Sequence, residues 1–204
     1  MAYTDFTLEL AEQRFGLTTV LADIFPDSAP VPVPSWLSES LGRGQAVAAM
    51  VSEKARSEFI VAPILMTCRE LVSGELAIFS GQRLDVDPTR GLVGECDYIL
   101  ARSAPIPRLR APLITVMEAK RGDIELGLGQ CVAQMVAAQL FNERAGTNPI
   151  PLFGVITTGE VWQFLKLNGT RLTMHSERLY IDNLGVVLAA LKAALNTQSP
   201  NNSP

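Results

Sequence analysis

The order of elements readable along the chain is helix, antiparallel strands, helix, strand and hairpin, and it predicts a single α/β (α+β) domain. Three observations carry that prediction. Two apolar, β-branched runs, Gly94-Glu95-Cys96-Asp97-Tyr98-Ile99-Leu100 and Leu113-Ile114-Thr115-Val116-Met117-Glu118-Ala119-Lys120, read as buried strands with turn residues at their ends. A helical pattern over 128–144 leads into Pro151-Leu152-Phe153-Gly154-Val155-Ile156-Thr157-Thr158, apolar on both faces and therefore a central strand. Finally, Asn168-Gly169 between two strand-like runs is the strongest short hairpin signal in the chain.

Taken in order, residues 5–15 give an i, i+4 apolar stripe that Gly16 stops, a short amphipathic helix. Prolines at 26, 30, 32 and 34 enforce extended backbone, so a linker or draped arm is expected there. Ser35 caps a helix over 36–41, and Gly42 and Gly44 loosen the chain beyond it. A longer helical pattern spans 45–71 with a bend at Pro63. Runs 75–79 and 83–87 predict one long or bulged strand before the turn at Pro88-Thr89-Arg90-Gly91. Strands 92–101 and 112–120 flank a rigid, proline-rich loop suited to a groove wall. In the next helix, Cys131, Val132, Met135, Val136 and Leu140 form the packing surface, while Gln130 and Gln134 share another face. That pair reads equally as a site contact or as a solvated face. Strands 161–167 and 171–175 make the hairpin, with Trp162 and Phe164 expected in the core. A helix over 184–195 closes the fold. The organisation expected is an N-terminal helical and proline-rich extension over 1–51 that packs on the core, a core over 52–196 and a disordered tail over 197–204.

Composition bounds the function. Of 204 residues, 48% are hydrophobic, enough for a sizeable core without disulfides. The three cysteines are widely spaced in apolar surroundings and are expected as buried thiols. A single histidine, His175, argues against histidine metal sites and Ser-His-Asp catalysis. No apolar run is long enough to cross a bilayer, and no basic segment leads into an apolar one at the N-terminus, so a cytoplasmic protein without a membrane partner is expected. The net charge of −4 counts against a general nucleic-acid binder. Locally, though, Arg102, Arg108, Arg110, Lys120 and Arg121 stand against Glu118 alone, which is either a phosphate-contacting segment beside the site or a solvated loop.

Side chains alternate along a strand, so Glu118 and Lys120 share a face, and a hairpin brings Asp97 beside them. Two close carboxylates repel unless a cation sits with them. Mg²⁺ suits such a pair, because it takes oxygen donors and commonly only one or two protein carboxylates. The lysine then orients or deprotonates a water, or steadies charge on a phosphate. Phosphodiester hydrolysis is the reaction these groups suit.

Asp97, the run Glu118-Ala119-Lys120 and the helix after them with Gln130 and Gln134 resemble the PD-(D/E)xK nuclease superfamily over residues 52–167, near restriction-enzyme nuclease domains. The resemblance implies a restriction-endonuclease-like αβββαβ core, with a mixed central sheet flanked by helices and here extended by a C-terminal hairpin and helix. It also implies Mg²⁺ or Mn²⁺ held by Asp97, Glu118 and the backbone of Ala119, assistance to the nucleophile from Lys120 with Gln130 nearby, and nucleic acid, DNA foremost, as substrate. A glutamate on the first core helix completes such sites, and Glu58 is the candidate; the plainer reading makes Glu58 the i, i+4 partner of Lys54. No proline precedes Asp97, a departure that removes no ligand. The alternative to a nuclease is a catalytically silent protein using the same fold as a binding or assembly module, consistent with the acidic charge and the lack of any helix-turn-helix, zinc-finger or RNP signature. The segment around Trp36 could dock a second copy or a larger assembly, or strap its own core.

Overall fold

A computed structural model describes residues 1–26, 28–48, 52–120 and 122–196. Arg121, in the locally basic segment, and the tail over 197–204 lie outside the described residues.

One open mixed sheet of eight strands organises the molecule: β1 (Thr18–Ala22), β2 (Ala77–Arg83), β3 (Glu95–Ala101), β4 (Leu113–Ala119), β5 (Leu152–Thr157), β6 (Val161–Asn168), β7 (Arg171–His175) and β8 (Leu179–Tyr180). Their spatial order is β1-β7-β6-β5-β4-β3-β2, with β8 pairing β6. β4 and β5 run parallel, as do β1 and β7, and the other pairs are antiparallel. The runs richest in Val, Ile and Leu take the middle: β4 and β5 are buried along their whole length. That placement follows from burial of both faces, which an apolar strand tolerates and an alternating one does not.

Helices cover both faces. On one lie α1 (Leu8–Phe15) and α5 (Glu125–Arg144), whose Leu128, Cys131, Val132 and Met135 join Tyr3, Phe6, Ile99 and Val116 in one core layer. On the other lie α2 (Ser35–Ala48), α3 (Glu53–Arg56), α4 (Ala62–Leu71) and α6 (Leu184–Asn196), with Leu37, Ile60, Ile64, Leu188 and Leu191 packed on Tyr98, Met117 and Trp162 in the second layer. Thr7 caps α1, accepting from the Leu10 N–H, and Gly16 ends it in the left-handed conformation. All three cysteines are free and buried. Among the described residues no helix is long and apolar enough to cross a membrane.

Several elements differ from the sequence expectation. The helix begun at Ser35 runs through Gly42 and Gly44 to Ala48. The 45–71 pattern is not one bent helix; residues 49–51 lie outside the described set, and from Glu53 the chain passes through a π-turn, Ser57–Val61, into α4. Pro63, at the start of α4, lacks the N–H an α-helix would use, and the register change just before it absorbs that loss. Strand β1 has no counterpart in the sequence expectation. The β3–β4 hairpin also corrects the placement of the proline-rich loop. Asp97 lies at the start of β3 and Glu118 at the end of β4, so the loop over 102–112 is at the opposite end of the hairpin, about 13 Å from Asp97 along β3 alone. Arg108 and Arg110 therefore do not adjoin the carboxylates. Arg102 is occupied elsewhere, donating to the carbonyls of Ser73 and Leu195 and so tying the end of α6 to the sheet.

Candidate metal and phosphate site

The site forms where β3 and β4 part. Their last paired residues are Tyr98 and Met117; beyond them β3 follows β2 (Gln82 opposite Cys96), and β4 follows β5 (Ala119 opposite Thr157). The parting leaves the Ala119 N–H without a strand partner. The carboxylate of Asp97 takes it, accepting at Oδ2 over 2.7 Å. On the far side of β4, the Lys120 N–H donates to the Thr157 carbonyl at 2.7 Å, fixing the backbone at the position where the lysine side chain leaves the sheet.

Glu118 and Lys120 share the face that α5 covers, as alternation requires. Lys120 Nζ donates to Glu118 Oε1 at 2.8 Å and to Gln130 Oε1 at 3.1 Å. Gln134 Nε2 donates to the other carboxylate oxygen, Glu118 Oε2, at 3.0 Å. The two glutamines are thus buried parts of the site, not a solvated face: one turn of α5 holds the lysine with Gln130 and the glutamate with Gln134. Gly127 makes room for this, since a Cβ there would stand 2.7 Å from Ile156 Cγ2 and 3.2 Å from the Lys120 stem.

The charges are unbalanced in an informative way. Glu118 is 3% exposed, and burial, followed by the neighbouring charge of Asp97, pushes its pKa up to about 7; Lys120 and Gln134 only partly offset this. Asp97 is raised too, by burial first, with the Ala119 N–H and Lys120 pulling it down and Glu53 pushing it up. The two carboxyls lie close enough for each to shift the other's pKa. For Lys120, burial disfavours the charged form, yet Glu118, Glu53 and Asp97 outweigh it and the pKa rises, so the amine is an ammonium at neutral pH. Both carboxyls are therefore held above their ordinary range, so the acid pair gives up its protons less readily than free carboxyls would.

A cleft of about 470 Å³ has Asp97 and Ala119 in its wall beside Glu53, Lys54, Glu58 and Glu95, whereas Glu118 is buried and is not part of that wall. Glu58 lines the cleft, but its carboxylate is more than half exposed and pairs with Lys54 at 3.9 Å. Glu53, one turn earlier and capped by Ser52 at the start of α3, is the helix acid whose charge reaches both Asp97 and Lys120. Sequence reasoning missed it by favouring the acid nearest the apolar run; the Ser52 cap opening a new helix was the available signal. Among the described residues no group of three or more His, Cys, Asp or Glu side chains is arranged to hold a metal ion. No protein-family model matches the chain, and no curated protein matches it.

Proposed function

We propose that the chain is a Mg²⁺-dependent phosphodiesterase acting on nucleic acid, DNA foremost, with a PD-(D/E)xK-type site on a restriction-endonuclease-like core. The observation that carries this is the convergence of Asp97 and Glu118, from strands that part at that point, on a position short of positive charge and flanked by Lys120. The order α4, β2, β3, β4, α5, β5, with β5 parallel beside β4, supports the αβββαβ core.

The donor set fits a hard divalent ion. Two carboxylates and a backbone carbonyl between Glu118 and Lys120 are oxygen donors of the kind Mg²⁺ accepts, and Mg²⁺ commonly takes few protein carboxylates and fills its remaining positions with water and phosphate oxygens. When bound, such an ion polarises a phosphate oxygen and lowers the pKa of a water. Lys120, already protonated, is unsuited to be the general base; it orients the attacking water and steadies negative charge on the phosphate. Gln134 keeps Glu118 turned toward Asp97, and Gln130 keeps Lys120 at the rim. Glu53 is the helix acid better placed than Glu58 to add to the ion's field.

The test pairs metal binding with cleavage. Calorimetry with Mg²⁺ and Mn²⁺ should show binding by the native protein and its loss in Glu118→Gln and Asp97→Asn. Supercoiled plasmid and linear single strands should be cut with either ion and left intact in chelator, and Lys120→Ala should slow cutting at least about a hundredfold. Cutting that survives both chelator and Lys120→Ala rules the mechanism out. A second reading, a silent binding or assembly module on the same fold, draws on the acidic cleft wall and on Arg108 and Arg110 lying at the wrong end of the hairpin. It requires metal binding to be absent or unchanged in Glu118→Gln.

A further inference from the structure

Edge strands present unpaired backbone groups, and natural proteins blunt them with charge, proline, a bulge or a kink. The two edges of this sheet are treated differently. β2 carries a left-handed Gly81 (φ 61°), where its ladder with β3 skips a pair, and it ends in Arg83, whose guanidinium is fixed by Asp85. β1 has none of these devices: Thr18-Thr19-Val20-Leu21-Ala22 is uncharged, free of proline and in unbroken register with β7. The ladder also shows which groups are left over. The Thr18 N–H donates to the Thr170 carbonyl at 2.9 Å and the Ala22 carbonyl accepts from the Ser176 N–H at 3.1 Å, so residues 18, 20 and 22 turn their backbone to β7. Thr19 and Leu21 turn theirs outward, and among the described residues β1 has no second strand beside it. Leu21 also holds its side chain out, 71% exposed, on the face where the Thr19 hydroxyl donates to Glu12 of α1.

We infer that β1 is a dimerisation edge that pairs antiparallel with β1 of a second copy of this chain, Val20 meeting Val20 on the two-fold axis. Outward N–H and C=O groups on alternate residues accept only another extended strand. What selects a second copy is symmetry. Thr19 and Leu21 stand evenly about Val20, so a two-fold sets Thr19 opposite the second copy's Leu21 and Leu21 opposite its Thr19. Each of these pairs exchanges both N–H···O=C bonds, and Thr18 faces Ala22 at the ends. Each Leu21 side chain then covers the methyl group of the opposing Thr19. Along the paired strands no like charges meet, since neither carries any. β2 of a neighbouring copy is the worse partner: Gly81 interrupts its ladder, Arg83 keeps its end charged, and a β1–β2 contact is head-to-tail and propagates instead of closing on a pair. Five residues per copy are few beside the roughly 20–30 a side of a stable complex, so the dimer is weak, with a dissociation constant on the order of 100 µM. β1 runs in the same direction as β4, so the joined sheet carries its two Asp97–Glu118 sites at opposite rims, each working alone. The pairing does not rest on the phosphodiesterase reading.

The full chain is followed by sedimentation velocity and by residue-resolved amide hydrogen exchange from about 5 to about 500 µM. A monomer–dimer equilibrium should appear across that range. The Thr19 and Leu21 amides should slow about threefold at its upper end, while those of Val20 and Ala22, already bonded to β7, should not change. Two variants separate the contact from the fold. Leu21→Lys places an ammonium on an exposed position of each copy, and Leu21→Pro removes an outward N–H without touching the β1–β7 ladder. Each should weaken the dimer at least about tenfold and keep the melting temperature within about 2 °C of the native protein. Raising salt from about 50 to about 200 mM should leave the dimer unweakened, because no ion pair holds it. The inference is overturned by a monomer at every concentration, or by a dimer in which Thr19 and Leu21 exchange as before. A dimer that survives both variants places the contact elsewhere and overturns it too. Species that keep growing beyond the dimer would mean that β1 pairs with a different edge, which also sinks the two-fold.

Discussion

Glu118 is the residue on which the site turns. Its folded pKa of about 7 exceeds its ordinary 4.5, so the folded protein holds a proton that the unfolded chain releases. The corresponding stability is fully present below about 4.5 and is lost as pH rises through about 7; Asp97, also raised, acts in the same direction. At about 1.4 kcal/mol per pKa unit, the loss is on the order of 3 kcal/mol. The metal-free native protein should therefore lose Tm between pH 5 and pH 8 relative to Glu118→Gln, and the variant should melt higher than the native protein at pH 8. Parallel melting curves across that range would refute the buried-proton picture. At this scale much of the site was legible: alternation places Glu118 and Lys120 together, and the hairpin brings Asp97 to them. The burial of Gln130 and Gln134 was not legible, because a glutamine four residues from another looks the same on a solvated face as against a buried carboxylate. Only the position of β4 under α5 decides it.

Among the elements, the strands announced themselves where both faces are apolar, as in β4 and β5, and the turn at Asn168-Gly169 fixed β6 and β7. Strand β1 did not, for a physical reason: Thr18–Ala22 is a short edge strand whose residues are exposed or half-buried, with Leu21 at 71%, and its pattern of burial comes from a partner some 150 positions away. The loop after β3 lies at the far end of the hairpin for a reason hairpin geometry already contains, since a connection always lies at the end away from residues paired near the strands' other termini. Helix α5 seats on the N-terminal segment through a contact the sequence conceals. At Gly129 a Cβ would collide with the backbone of Phe6 and Thr7, the capping residue of α1. Backbone cannot step aside as a side chain can, so Gly129→Ala should cost about 1–3 kcal/mol, with Tm falling about 2–4 °C for each. A Tm within a degree of the native protein would show that α5 can shift without loss.

At the scale of the whole molecule, residues 1–48 are structural partners of the sheet. Tyr3, Phe6 and Ala11 belong to one core layer and Leu37 and Leu41 to the other, the Tyr3 hydroxyl donates to the Leu84 carbonyl, and β1 completes the sheet. A fragment of residues 52–196 should therefore lack fixed tertiary packing, which near-ultraviolet circular dichroism would detect as a lost aromatic signal with helix and strand content partly retained. A native-like spectrum from that fragment would instead make the first 48 residues an appendage.

The pairing of Thr18 with Arg171 and of Ala22 with His175 has a further consequence in time. The first strand to leave the ribosome waits for the seventh, so the sheet cannot be completed while most of the chain is still being made. Until residue 175 has emerged, β1 and the apolar flank of β6 are both unclosed, and at elongation rates of about 5–20 residues per second the interval is on the order of ten seconds or more. The sheet is thus closed only after β7 has been made, and it is in that interval that a chaperone would find it.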